Sequence, residues 1–258
     1  MKKTYLFILI VGVLFFLYLF SNSINNTPSI IVARLHKKGS LEGRILKFSP
    51  KYLGIIPFGE AVFEDKGEIF FRGKRLHFLE ASAKTPKLLS RLFKAEAEVK
   101  SFIDPVKLYP LFFIRHLRIS NHPEENKEIM YDQENNIMES EGTKRIILPN
   151  THDPLSAIFY IRKQNFKIGK TFDINLNTNQ KNYSIKAIIL RKEGFSIEGK
   201  KFGVWILKAE VKRRDATPMH MHSSSFTIWF LDNPSKTPVL IKAMTGIGLV
   251  SCPLVKIE

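Results

Sequence analysis

The sequence predicts a mainly β protein: a strongly curved antiparallel sheet or a partly open β-barrel, with one or two short helices. Apolar and polar residues alternate with period two through much of the second half, and turn signals separate short apolar stretches in the first. Only two segments carry helical signals. At 258 residues, 44% hydrophobic and 25% charged, the composition is that of a globular chain, not a disordered or collagen-like one. There is no repeat, heptad pattern or low-complexity tract.

The chain opens with Met1-Lys2-Lys3 and an uncharged run, residues 4–20, about 25 Å long as a helix and slightly short of a ~30 Å hydrocarbon core. Two lysines precede it and no basic residue follows until Arg34, a bias that holds the lysine end in the cytoplasm and sends the rest outward. Residues 1–23 thus read as a signal anchor, 24–40 as a linker and 41–258 as one β-rich exported domain. The expected location is the periplasmic side of the inner membrane, held by one N-terminal helix. The alternative is a signal peptide cleaved near Ser21-Asn22-Ser23, which releases the domain to the periplasm.

In chain order, apolar stretches span Phe58 to Glu64, Ile69 to Phe71, Leu76 to Ala83 and Leu108 to Ile119, the last interrupted at Pro110. Arg72-Gly73-Lys74 and Glu134-Asn135-Asn136 mark turns among them. Pro86 to Ala97, apolar at 88, 89, 92 and 93, reads as one helix. Asp153 to Arg162 reads as the other, with Asp153 as N-cap and Pro154 at the first helical position. This second helix is apolar on almost every side, so it should lie buried against the sheet. Tyr183, Ile185, Ala187 and Ile189 then share one strand face. Trp205, Leu207, Ala209 and Val211 repeat the pattern, as do Phe226, Ile228 and Phe230. Lys192-Glu193-Gly194, Asp232-Asn233-Pro234 and Gly246-Ile247-Gly248 are the expected turns between these strands.

Forty Lys and Arg against 24 Asp and Glu give a net charge of +16. Ten basic residues and three glutamates fall in residues 181–214; seven acids and Lys127 fall in 122–141. For an exported domain this charge points to an anionic membrane surface, a lipid-like ligand or an envelope protein as partner, not to nucleic acid. Lys212, Arg213 and Arg214 are candidate head-group contacts. So is Arg162, whose guanidinium needs a partner if its helix is buried; Asp232 or Glu60 could supply one.

Other motifs carry little chemistry. Gly169-Lys170-Thr171 ends like a phosphate loop, but Gln164 stands where the first glycine belongs, so it reads as a turn into a strand. No G-x-S-x-G elbow is present. Cys252, the single cysteine, excludes a disulfide framework and reads as a core residue. His220 and His222 share a strand face within Met219-His220-Met221-His222, but two ligands do not make a metal site. No cofactor and no catalytic residue is expected.

Three stretches resemble the bacterial domain-of-unknown-function family 3108: Tyr52 to Ala61, Asp153 to Arg162, and Ile228-Trp229-Phe230 with Asp232 and Thr237-Pro238-Val239. The resemblance runs over roughly residues 43–255 and implies an exported, β-rich, half-barrel-like protein without an established activity. It departs at Phe159, where tyrosine is common, and at Leu231, where serine is common. In this frame Gly59 serves a tight backbone position, Asp153 and Pro154 start the helix, and Trp229 and Asp232 belong to a hairpin. The function expected is non-enzymatic binding of an apolar or amphiphilic ligand in the curved sheet. An envelope scaffold is the alternative, and an enzyme of unknown reaction the third reading. Alkaline phosphatase fused after residue 40 should be active and the same fusion before residue 4 inactive; the reverse pattern would contradict the outward-facing orientation.

Overall fold

The computed structural model describes residues 45–91, 93–197, 200–214, 223–245 and 248–258. The anchor, the linker and the pair His220 and His222 lie outside the described residues. The first half supplies β1 (Ile45–Phe48), β2 (Lys51–Tyr52), β3 (Ile56–Pro57), β4 (Glu60–Phe71), β5 (Lys74–Lys84), β6 (Ala95–Ile103), β7 (Pro110–Ile119), β8 (Glu125–Asp132), β9 (Ile137–Ser140) and β10 (Thr143–Ile146). One helix follows, α1 (Pro154–Lys163). Then come β11 (Thr171–Thr178), β12 (Lys181–Ile197), β13 (Lys200–Arg213), β14 (Ser223–Leu231), β15 (Pro238–Thr245) and β16 (Gly248–Ile257).

These strands form one antiparallel sheet in the order β10-β9-β8-β7-β6-β5-β4-β1-β16-β15-β14-β13-β12-β11, with the β2–β3 hairpin attached to β16. It is two meanders joined through β1, which pairs with β4 on one side and β16 on the other. Local chemistry explains the hairpins. Arg72 and Gly73 (φ 50° and 75°) both take the left-handed conformation that matches strand twist in a two-residue turn. Asn179 and Gln180 (φ 50° and 59°) do the same between β11 and β12.

The sheet's hydrogen bonds do not close into a barrel; it stays open between β10 and β11. Its two ends nevertheless approach, because a sheet this wide twists and its apolar concave face must be covered. Helix α1 does the covering. Leu155 and Phe159, one turn apart, enter the core cluster of the first meander with Leu79, Val99 and Met138. Ala157 and Ile161, offset by two residues and therefore on the opposite side, enter the core of the second with Ile185, Leu207 and Phe230. The pattern that looked apolar on almost every side is a helix with two cores.

The chain between β10 and α1 straps the open edges together. Ile147 N–H donates to the Asn136 carbonyl (2.8 Å). His152 donates to the Asn175 carbonyl (2.8 Å) and accepts from Asn177 N–H (2.8 Å), forming a parallel bridge along the outer edge of β11. Part of an otherwise unpaired edge is thereby covered.

Two expectations are corrected. Pro86 to Ala97 is not a helix: only Leu89–Arg91 makes a 3-10 turn, and β6 starts at Ala95. The alternation Ala95, Ala97, Val99 is buried and pairs with both β5 and β7, so sheet pairing overrides helix propensity there. Lys192-Glu193-Gly194 is not a turn but lies within β12, where Gly194 faces Gly203 across the β12–β13 hairpin. A register shift between Ile189 and Arg191 absorbs the irregularity.

Candidate functional site

The concave side of β7 and β8 presents alternate residues toward β11: Phe113 and Arg115 from one strand, and Glu125, Lys127, Ile129 and Tyr131 from the other. Opposite them stands the β11–β12 turn, residues 177–181. The two lips enclose a groove of about 230 Å³ at the seam of the curled sheet.

A hydrogen bond spans the groove, from Arg115 Nη1 to Asn179 Oδ1. The same guanidinium donates through Nη2 to Glu125 Oε1 (2.6 Å), which Lys127 Nζ also meets at 3.2 Å. Burial lowers the Arg115 pKa, and Glu125 offsets part of that effect. With Lys181, the lining carries three cations to one carboxylate. Among the lining residues, Tyr131 Oη and Asn177 Oδ1 are buried without a hydrogen-bond partner. Burial holds the Tyr131 hydroxyl well above its ordinary range, reinforced by the charge of Asp153.

Asp153 occupies the N-terminal end of α1 near this groove. Its Oδ1 accepts from the N–H groups of Leu155 (2.7 Å) and Ser156 (3.0 Å), and Ser156 Oγ accepts from Asp153 N–H (2.9 Å), a complete capping box. Its Oδ2 accepts from the Ser101 hydroxyl of β6. The cap therefore also fixes the helix to the first meander. Complete burial raises the Asp153 pKa to about 6, held back by these hydrogen bonds. Burial lowers that of neighbouring His152 to about 4, and its Nδ1 is buried without a partner.

Arg162 lies at the other end of α1, 7% exposed. Neither Asp232 nor Glu60 pairs with it. Its Nε donates to the Ser235 carbonyl (3.1 Å), its guanidinium stands 5.9 Å from the centre of the Phe63 ring, and Asp65 provides the nearby negative charge. Asp65 accepts from Gly67 N–H (3.1 Å) and is bonded to His77 Nε2 (2.6 Å). Burial raises its pKa, but the His77 bond and charge, the Gly67 N–H and the Arg162 charge together outweigh this, and the net shift is downward. Asp232 instead binds Lys192 and the Trp205 indole N–H (2.7 Å), and Glu60 meets Lys84 at the surface (3.2 Å). Asp232 stands in the same turn as Ser235, but its carboxylate is taken by Lys192 and Trp205.

Lys212 and Arg213 end β13 and Arg214 follows it; Lys212 pairs with Ser223. The Arg162 environment meets that strand near Val204, eight residues or about 26 Å away. The four basic residues therefore do not form one site. Pro154 takes the first helical position. Trp229 packs against the first core, with Lys242 Nζ 5.4 Å from its ring. Gly59 is buried just before β4, while the left-handed glycine of that stretch is Gly54 (φ 75°). Cys252 is buried, its thiol pushed up to about 12. Among the described residues no cluster of three or more His, Cys, Asp or Glu side chains could hold a metal ion. No helix among them is long and apolar enough to cross a membrane.

Sequence reasoning missed Arg115 and Tyr131. Each sits in an ordinary alternating strand, and the partners that make it notable lie far along the chain: Asn179 is 64 residues from Arg115. The only legible trace was the acidic stretch around β8 and the basic stretch opening at Lys181, which supply opposite lips of the groove.

An open, curled antiparallel sheet around a two-sided helix is the class this architecture defines. The chain belongs to the DUF3108 family of proteins of unknown function, whose profile matches residues 47–252. No curated protein matches it. The β-barrel-like protein of domain family DUF1849 from Brucella abortus has a similar structure, with a TM-score of 0.57 at 10% identity over 84% of this chain and 98% of its own. That likeness concerns fold alone. A candidate lipoprotein from Parabacteroides distasonis is more distant, with a TM-score of 0.38 at 7% identity over 90% of this chain and 100% of its own. A candidate exported protein with a YmcC-like fold from Bacteroides fragilis has a TM-score of 0.34 at 9% identity, over 89% and 100%. Neither score carries a structural argument.

The two buried titrating neighbours give opposite pH signatures. Asp153, raised from 3.8 to about 6, contributes most below pH 4 and loses that contribution as pH rises to 6. His152, lowered from 6.5 to about 4, contributes fully above pH 6.5 and loses it as pH falls to 4. Asp153→Asn should thus gain about 3 kcal/mol relative to the native chain between pH 4 and pH 7. Urea midpoints at both pH values measure this; a difference independent of pH would contradict the assignment.

Proposed function

We propose that this protein is a non-enzymatic, exported envelope protein that binds a small anionic amphiphile in the groove at the seam of its curled sheet. The observation that carries this reading is the lining itself: an apolar wall of Phe113 and Ile129, three cations against one carboxylate, and the buried, unpartnered Tyr131 Oη and Asn177 Oδ1. Buried polar atoms without protein partners are costly unless something else bonds them, and a polar head group has the required chemistry.

The volume selects the ligand's size. About 230 Å³ lies just below the usual range for drug-sized pockets, so the groove suits a short acyl chain or one end of a longer one. The rest of the concave face is occupied by α1 and the two cores. A whole phospholipid enclosed in the sheet is therefore not part of this reading. Residues 4–20 supply the anchor to the inner membrane, with the domain on its periplasmic side; this rests on the charge bias around that run.

The test is titration of the full chain in nanodiscs with a fluorescent short-chain fatty acid. Binding should saturate near one per chain. Phe113→Trp overfills the groove at a cost of about 1–3 kcal/mol and should weaken binding about tenfold or more. Lys181→Glu should weaken it through charge while leaving the fold intact. Absence of saturable binding, or affinity unchanged in Phe113→Trp, would remove the reading and favour a scaffold that binds another envelope protein.

A further inference from the structure

Away from the seam, a row of residues that crosses the second meander carries cations without counter-charge. Lys51 of β2 stands directly opposite Ser251 of β16, and Ser251 opposite Lys242 of β15. The row continues through Thr227 of β14 to Lys208 of β13. Residues directly opposite one another share a face of the sheet. Val250 and Cys252, on either side of Ser251, belong to the second core, as do Ile241 and Ala243 on either side of Lys242. The row therefore lies on the outer face, turned away from α1.

Its middle is a buried serine between two lysines. Ser251 is 1% exposed, and its Oγ has no hydrogen-bond partner. Lys51 is 8% exposed. Among the described residues neither Lys51 nor Lys242 meets a carboxylate. Lys242 Nζ faces the Trp229 ring instead, and burial lowers its pKa with no acid to oppose the shift. Burying a hydroxyl without a partner is costly, and so is holding two largely buried cations beside it without an anion.

The first meander meets the same demand from within. There Glu80 of β5 lies opposite Glu64 of β4 and Lys100 of β6, again on the outer face, since Leu79 and Ala81 beside it are in the first core. Lys66 reaches Glu64 (2.7 Å) and Glu80 (3.2 Å), and Lys100 reaches Glu98 (2.7 Å) and Glu80 (3.6 Å). The bond to Glu64 raises the Lys66 pKa, and the bond to Glu98 raises that of Lys100. Two lysines thus flank a glutamate in one meander and a serine in the other. The second row has the cations and the hydroxyl donor of an anion site, and the chain supplies it no anion.

We infer that Lys51, Ser251 and Lys242 bind a phosphate group on the outer face of the second meander. Neighbouring strands lie about 4.8 Å apart, so the two lysine backbones are about 10 Å apart, and their flexible four-carbon stems let both ammoniums close on one anion above the serine. Rotation of either stem opens the Ser251 hydroxyl to the same anion. Two cations call for an anion with close to two charges, and separate donors on three strands call for one with several oxygens. Phosphate meets both conditions better than a carboxylate does. The site uses no residue of the seam groove and is independent of the reading given for it.

The test is isothermal titration calorimetry of the full chain in an uncharged detergent, with inorganic phosphate and with glycerol 3-phosphate. Binding should saturate near one per chain and weaken as salt rises. Lys51→Gln, Lys242→Gln and Ser251→Ala should each weaken it about tenfold or more, because each removes a hydrogen bond to a charged group. Ser251→Asp places a carboxylate where the first meander has Glu80 and should abolish binding. Lys208→Gln, two strands beyond Lys242, is the control for general surface charge and should matter far less than either lysine of the site. Thermal midpoints report whether each variant is folded; if Ser251→Asp unfolds, the two lysine variants decide. Equal or tighter binding of glycerol 3-phosphate assigns an esterified phosphate and weaker binding a free one, and either upholds the site. Absence of saturable binding of both anions overturns it and leaves the serine hydroxyl to water. Affinity that survives Lys51→Gln together with Lys242→Gln, or that falls as much with Lys208→Gln, overturns it as well.

Discussion

A ten-residue helix that must serve two hydrophobic cores is the constraint on which this structure rests. The meanders on either side of β1 each bury one face, and neither face is covered without α1. Side chains at i and i+4 satisfy one core, and the pair offset by two residues satisfies the other. The sheet therefore curls around the helix without closing its hydrogen bonds, and the seam between β10 and β11 follows as the place where the curl stops. A barrel closed by strand pairing would have no such seam. A flat sheet would leave one side of α1 in water, at about 1.5–3 kcal/mol for each large apolar side chain exposed.

The helix ends are held by different chemistry. At the N-terminus the cap side chain is shared between the helix and β6, so the bonds that begin α1 also locate it against the first meander. At the C-terminus the Arg162 guanidinium reaches the β14–β15 turn through the Ser235 carbonyl and sits near Asp65 of β4. Each end thus ties the helix to a long-range partner, and both ties use buried polar groups that would be costly if left alone. Two of the polar atoms that remain unpartnered, Tyr131 Oη and Asn177 Oδ1, belong to residues that line the seam where the two lips fail to meet. Structural demand and candidate binding site have the same origin.

Much of this fold is legible in the sequence. Period-two alternation placed β12, β13 and β14, and the Asp153-Pro154 pair placed the start of α1, because these are local signals with local causes. The segment from Pro86 to Ala97 misled because its leucines fit a helix about as well as its alanines and Val99 fit a strand, and only pairing with β5 and β7 decides between them. The Arg162 partner escapes the sequence for a related reason. Charge alone points to an acid such as Asp232, whereas the curl delivers a backbone carbonyl and Asp65. The groove was least legible of all, since a seam exists only in the relation between strands far apart in the chain.

The curl requires that the helix and strap hold the two lips together. Spin labels at Lys127→Cys and Gln180→Cys, one on each lip of the groove, report that separation by pulsed dipolar spectroscopy. A single narrow, short distance distribution is predicted for the full chain. A broad or long distribution would mean that the sheet does not curl onto itself, and would contradict both the two-sided role of α1 and the groove that depends on it.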